Sequence, residues 1–308
     1  MDPTSASDLY LHPRAAQPVA AVGEVLWDIF PNSIHLGGAP LNFGVHARRL
    51  GHPVYLISAV GDDARGRQAA RDISTLDLDT TFLQTSASMP TGTATVSVSS
   101  EDRNSFQIHR PAAYDAMEFT DQDAERLKRT QPRWLYFGTL FASMPKGRGV
   151  LDRLIQSLDD TFAFYDLNLR PSADSPELVK HLMEQADVVK LNEEELNRVQ
   201  EFSGLPSSIE GFCREGAARY GWRAVGVTLG ARGCALLAHD TYIAKEGRAV
   251  DVADTVGAGD AFAAAFMHGL DADWPLRDIA TFANRVGALV ASRCGAIPDW
   301  TVEEVVRL

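Results

Sequence analysis

The chain has 308 residues, 45% of them hydrophobic and 23% charged, which is ordinary for a globular protein of one large or two modest domains. A formal net charge of −12 argues against nucleic acid as a main partner, since that calls for a basic face. No stretch approaches the roughly 18 apolar residues of a membrane span, and Met1–Gln17 lacks the apolar core of a signal peptide. The three cysteines, Cys213, Cys234 and Cys294, show neither zinc spacing nor a disulfide framework, so a cytoplasmic protein with reduced thiols is expected.

Residues 1–17 read as a loose tail, and Val19–Ile29 as the first strand. Leu41–Leu50 reads as a helix, opened after Pro40 and stopped at Gly51. Val54–Val60 is a strand pattern and Ala64–Leu76 a helical one. Thr91–Ser99 and Ser105–His109 read as strands around a turn at Glu101–Asn104. Together with the short run Ser33–Leu36 they suggest a separate small sheet, or else an ordinary edge hairpin. Further strands are expected at Arg133–Thr139, Phe162–Asn168, Val188–Leu191 and Ala224–Leu229. Their flanks, Asp121–Arg129, Gly147–Leu158, Pro176–Gln185 and Ile209–Tyr220, read as helices. Ala261–Leu270 and Leu276–Ser292 complete the helical set. Strand and helix in alternation imply an α/β fold, a mostly parallel sheet covered by helices on both faces. Ligands bind such sheets outside the carboxyl ends of the strands.

Asp254-Thr255-Val256-Gly257-Ala258-Gly259-Asp260 stands just before the apolar run at 261–270. Gly257, Ala258 and Gly259 let backbone N–H groups approach a ligand closely. The first N–H groups of a helix lack internal partners and sit at the positive end of its dipole, so this junction suits a phosphate. A carboxylate at such a place is odd for simple binding, because it repels the anion. It makes sense if Asp260 takes the proton of a hydroxyl that attacks the phosphate. The plain alternative is an N-cap aspartate.

The same segment, continued through Ala261-Phe262, resembles the C-terminal signature of the ribokinase-like (PfkB) carbohydrate kinases. Gly37-Gly38-Ala39-Pro40-Leu41-Asn42-Phe43, ending in Arg49-Leu50-Gly51, resembles the N-terminal one. Gly23-Glu24-Val25-Leu26-Trp27-Asp28 is similar to the first strand of bacterial fructokinases within that family. Val60-Gly61-Asp62-Asp63 with Gly66, and Pro90-Thr91-Gly92-Thr93, also stand where that group has them. The resemblance covers about residues 18–300. It implies a ribokinase-like mostly parallel sheet flanked by helices, with a small β-sheet lid. The core would comprise 18–30, 41–88 and 112–308 with the ATP site, and the lid 31–40 and 89–111 over the sugar.

The resemblance assigns roles residue by residue. Asp260 becomes the general base, with Gly257, Ala258 and Gly259 as the anion hole. Asp28, Gly37, Gly38 and Asn42 become sugar ligands; their plain alternatives are a solvated acid, a turn and a helix start. Arg110, in Arg110-Pro111-Ala112-Ala113-Tyr114-Asp115, would hold sugar hydroxyls or phosphate, or else be a surface arginine. Members that handle a sugar acid carry Tyr-Tyr-Arg here; this chain has Ile108-His109-Arg110. Arg170 closes Asp166-Leu167-Asn168-Leu169-Arg170, near sugar and γ-phosphate in relatives, and Asp166 and Asn168 would point the same way from one strand. Asn192 and Glu195, in Leu191-Asn192-Glu193-Glu194-Glu195-Leu196, match the motif that acts on Mg²⁺-bound water and phosphates. A helix start explains these acids as well. Thr228, Gly230, Gly233 and Asn284 would line the nucleotide site, although packing accounts for each of them too. Asp254, with the backbone near Gly295, would frame a monovalent-cation site for K⁺.

The implied activity is phosphoryl transfer from Mg-ATP to a sugar hydroxyl, with fructose the first substrate and another sugar, a sugar acid or a nucleoside the alternative. Relatives often pair through their lid sheets, which would give a homodimer, although Thr91–Ser99 alternates small and polar residues with few large apolar ones. A non-catalytic sensor on the same fold would be marked by loss of Asp260 or the glycines before it, and all are present. A dinucleotide-binding dehydrogenase lacks its Gly-x-Gly-x-x-Gly after the first strand, and no Walker motif occurs.

Overall fold

A computed structural model describes residues 10, 16–98, 104–170 and 173–308. Thirteen strands among them form two sheets. In chain order the elements begin β1 (Val19–Val22), β2 (Leu26–Ile29), β3 (Ile34–Gly37), α1 (Ala39–Arg49), β4 (Val54–Gly61), α2 (Ala64–Ser74), β5 (Leu83–Ser86), β6 (Gly92–Val98) and β7 (Asn104–His109). Next come α3 (Asp121–Lys128), β8 (Trp134–Gly138), α4 (Thr139–Ala142), α5 (Pro145–Ser157), β9 (Phe162–Asp166), α6 (Pro176–Gln185), β10 (Val188–Asn192), α7 (Glu193–Ser203) and α8 (Ile209–Tyr220). The chain ends with β11 (Ala224–Thr228), β12 (Cys234–Ala238), β13 (Thr241–Lys245), α9 (Ala258–Asp271), α10 (Leu276–Ala291) and α11 (Val302–Arg307).

The larger sheet has nine strands in the order β13-β12-β11-β10-β9-β8-β1-β4-β5. From β11 to β5 all neighbours are parallel; β12 and β13 close one edge antiparallel. Its interior strands are buried on both faces, as in the all-buried run Val-Ala-Ala-Val of β1, which is what helices on both sides require. One apolar layer joins β1 residues Val19 and Ala21 to α1, α9 and α10. The other joins Ala20 and Val22 to α5, α6 and α8. The chain steps from β1 to β4 and β5 in one direction and from β8 to β13 in the other. This reversal between β1 and β8 opens a crevice at the carboxyl ends of the strands.

The single strand expected over Val19–Ile29 is two strands in two sheets. The chain breaks at Gly23, where φ is 148° and the backbone bonds to Ile57 O and Ser58 Oγ. Residues 26–29, expected in the core, therefore belong to the four-stranded sheet β3-β2-β6-β7. Within it β2 pairs antiparallel with β3 and parallel with β6, and β6 pairs antiparallel with β7. The expected turn at 101–104 lies outside the described residues except for Asn104, which opens β7. The expected helices at 176–185 and 209–220 form with those bounds, each capped by a serine, Ser175 or Ser208. Strands β5, β12 and β13 were not expected. The turn between β12 and β13 uses His239 and Asp240 at φ 47° and 64°, a left-handed pair without the glycine that would announce it.

Candidate active site

The crevice holds a cavity of about 480 Å³ lined from both sheets. The carboxyl ends of the parallel strands supply Glu24, Leu140, Asn168, Lys190, Asn192 and Thr228. The small sheet supplies Leu26, Asp28, Ala94 and Ile108. The segment before α9 and its first turn supply Thr255, Val256, Gly257, Gly259 and Asp260. A neighbouring cavity of about 430 Å³ is lined by Thr228, Gly230, Gly233, Val250, Phe262, Asn284 and Ala288. The two share Thr228, Thr255 and Gly259, so they adjoin across the start of α9.

Asp260 stands in the first turn of α9, whose N-cap is Gly257 with no side-chain cap bond. The capping alternative for Asp260 is therefore not what the chain builds. Gly257 has φ 80°, and a Cβ there would lie 2.2 Å from Ala296 O, so only glycine fits. Asn42 Nδ2 donates to Asp260 Oδ2 at 2.9 Å, which joins the two signature segments across 218 residues. Burial, and then the charge of Asp166, push the Asp260 carboxyl up to about 7; Asn42, Lys190 and Arg170 pull the other way.

Asp28 projects from β2, next to Gly37, where a Cβ would lie 2.7 Å from Asp28 Oδ2. Burial raises its carboxyl to about 6 despite Arg170. Gly38 precedes α1 at φ 119°, and a Cβ there would meet Glu24 O at 2.3 Å. This close approach sets Asn42 one turn into α1, facing Asp260. Asn42 Oδ1 is buried and has no protein partner, so it is an acceptor that awaits a donor.

Arg170 lines the larger cavity, and its charge reaches Asp28, Glu24 and Asp260. Arg110 does not line it. Its guanidinium forks onto both Asp115 oxygens and donates to Leu140 O and Ser143 Oγ, so the structure commits it to joining the small sheet's last strand to α4. Asp166 and Asn168 do not point the same way from one strand. The strand ends at Asp166, and Asn168 lies beyond it in the left-handed region at φ 42°. Asp166 is fully buried and paired with Lys190, while Asn168 faces the cavity.

Asn192 and Glu195 open α7 as a capping box. Glu195 N donates to Asn192 Oδ1, and the Glu195 oxygens accept from Asn192 N and Leu169 N, each at 2.8 Å. The pair serves the helix start and faces the cavity as well. Among the described residues no three His, Cys, Asp or Glu side chains cluster to hold a metal ion. The carboxylates of Glu194 and Glu195 line one edge of the cavity beside Asn192 and suit a hard cation that keeps its waters. Asp254 accepts from Val256 N at 3.0 Å and Gly295 N at 3.1 Å, tying the loop before α9 to the loop after α10.

Two residues of the site were not singled out in the sequence, Lys190 and Glu24. Lys190 carried a signal: a lysine inside the otherwise apolar run Val188–Leu191 has no place in a strand buried on both faces unless it is paired. Glu24 Oε1 accepts from Ala39 N at 3.3 Å, while Oε2 is buried without a protein partner. Nothing in its sequence context marks it beyond membership of the first motif.

The family model of the pfkB family carbohydrate kinases matches residues 23–302, nearly the whole described chain. The chain belongs to the pfkB family of carbohydrate kinases. It is a phosphotransferase that acts on a sugar hydroxyl. It is 29% identical to a fructokinase of Escherichia coli, over 91% of this chain and 94% of that one. It is 26% identical to an aminoimidazole riboside kinase of Salmonella typhimurium, over 92% of each. The structure of a sugar kinase from Pyrococcus horikoshii in complex with ATP superposes with a TM-score of 0.81 at 26% identity, over 94% of this chain and 97% of that one. Among the described residues no helix is long and apolar enough to cross a membrane.

Proposed function

We propose that this pfkB kinase transfers the γ-phosphoryl group of ATP to fructose, with Asp260 as general base. The observation that carries the reading is the half-buried Asp260 carboxylate in the first turn of α9, which accepts from Asn42 Nδ2 and is raised to about 7 by desolvation. A base with that pKa is ionised often enough at neutral pH to take a proton, yet basic enough to hold it. The hydroxyl oxygen attacks the γ-phosphorus, its proton passes to Asp260, and the bond to the β-phosphate oxygen breaks to release ADP. Backbone N–H groups at Gly257 and Gly259 meet the charge spread over the transferring oxygens, while Ala258 N donates to Thr255 O at 3.3 Å.

Asp28, Asn42 and the backbone at Gly37 and Gly38 take sugar hydroxyls, and Arg170 lies between sugar and phosphate. The adenine end occupies the smaller, more apolar cavity at Thr228, Gly230, Gly233 and Asn284. Mg²⁺ would be held through its waters by Glu195 and Asn192, and neutralises phosphate charge when bound. K⁺ at Asp254 would stiffen the loop that Gly257 ends. The small sheet acts as a lid that keeps water from competing with the sugar, and pairing of two copies through it makes a homodimer.

Fructose is favoured by the E. coli relative. The riboside-kinase relative keeps a nucleoside as the second reading. The test is ADP release with Mg-ATP over fructose, ribose, glucose, 2-keto-3-deoxygluconate, adenosine and inositol. Selective turnover of fructose is expected. Selective turnover of another member overturns the substrate and keeps the class.

A further inference from the structure

Lys190 is the buried ammonium group of the cavity wall, its side chain 8% exposed. Its Nζ lies 3.0 and 3.2 Å from the two oxygens of Asp166. Asp166 is fully buried and also accepts from Tyr136 Oη at 3.2 Å. Three bonds fix this carboxylate, and it does not line the cavity itself. On its other side the ammonium reaches the anion hole, because a Cβ on Gly259 would stand 3.1 Å from Nζ. An ammonium has three donors, and a single carboxylate does not use them all in good geometry. Burial works against the lysine charge, but Asp166, Glu195 and Asp260 outweigh it and hold Lys190 protonated.

A purely structural ion pair is a poor account of this arrangement. Buried pairs add little stability over apolar residues of similar volume, and the flanks of β10 are already apolar. The position of the charge is what is unusual, since it lies against the loop where phosphate oxygens are expected. We propose that Lys190 is a catalytic residue that donates to the phosphoryl group in flight, with Asp166 as the positioning residue that aims it. The inference rests on the sugar-kinase reading of the cavity. As the γ-phosphorus leaves the β-phosphate oxygen and bonds to the sugar oxygen, the hydroxyl proton goes to Asp260 and Lys190 keeps its own. Its charge offsets the negative charge that develops, and no extra reactant is needed.

The test compares Lys190→Met, Asp166→Asn and the neutral double variant Lys190→Met/Asp166→Asn, which leaves no unpaired charge between the two sites. In the double variant kcat should fall about 100-fold or more, the loss typical of one removed transition-state donor. The KM values for ATP and sugar should stay within about threefold. Affinity for ADP with aluminium fluoride, which mimics the group in flight, should fall with kcat, while affinity for ATP does not. A double variant that keeps wild-type kcat and fluoroaluminate affinity overturns the proposal. Should the variants not fold, a structure of the wild-type protein with Mg²⁺, ADP, aluminium fluoride and the sugar it turns over decides. Nζ is expected within hydrogen-bond distance of the fluoroaluminate, and an ammonium bonded to Asp166 alone, out of reach, contradicts it. Wild-type protein that releases no ADP with any sugar overturns the kinase reading and this proposal together; active wild type with an equally active double variant overturns this proposal alone.

Discussion

At the scale of single residues, the energetics of the site centre on Asp260. Its ordinary carboxylate pKa of 3.8 is raised to about 7 by burial and by Asp166. The folded state therefore binds a proton more tightly than the unfolded chain. Below pH 4 both states are protonated and the shift has no effect on stability. As pH rises toward 7 the cost of the poorly solvated charge grows, and above 7 it is fully present. Asp260→Asn should thus melt several degrees above wild type at pH 8, with the gap closing near pH 4, as followed by thermal unfolding at both pH values. A gap independent of pH would contradict the placement of this carboxylate. The same group sets activity in the opposite sense. If the ionised form is the base, as proposed, kcat/KM should fall as pH drops through about 7. Stability given up at this position is what a base of that pKa requires. Asp260 was legible in the sequence because an acid beside an anion hole is a local contradiction. The Asn42 bond was not, since nothing local joins residues 218 apart.

Among the elements, α1 and the start of α9 act as a pair. Along α1, Asn42 reaches Asp260, and one turn later His46 Nε2 stands 3.0 Å from Ala296 O. Trp300 Nε1 donates to His46 Nδ1, and Arg49 donates to Ile297 O and Pro298 O. The loop so held is the one whose Ala296 carbonyl crowds Gly257. One helix therefore positions both Asp260 and the loop that packs against Gly257. Gly257→Val would force a side chain into Ala296 at a φ of 80°, and should raise the KM for ATP by about tenfold or more. Steady-state kinetics with varied ATP checks this, and unaltered ATP kinetics would remove Gly257 from the phosphate site. Both signatures could be read from their glycines and their helix starts. The role of Arg110 could not. Its partners Leu140 and Ser143, in α4 and at its C-cap, stand 30 and 33 residues on, and sequence gives no means of telling a substrate arginine from one that ties two elements together.

For the whole molecule, alternation of strand and helix was enough to expect a parallel sheet, because strands buried on both faces read as continuous apolar runs. Strand order, the reversal between β1 and β8 and the membership of β2 in the smaller sheet were not legible. They depend on which distant edges meet rather than on any local pattern, and the sharp turn at Gly23 lies inside a run that looks unbroken. Yet that break is what brings Asp28 over the cavity from the smaller sheet, while Lys190 of the larger sheet and Asp260 at the start of α9 close it from the other side. The central claim is that this cavity transfers phosphate to a sugar with Asp260 as base. The most direct measurement is fructose-dependent ADP release from Mg-ATP by wild type and Asp260→Asn side by side, with ATP binding measured on both. The account predicts turnover by the wild type, a fall in kcat of several decades in the variant, and equal ATP affinity. An Asp260→Asn variant that turns over fructose at a rate near wild type would contradict it.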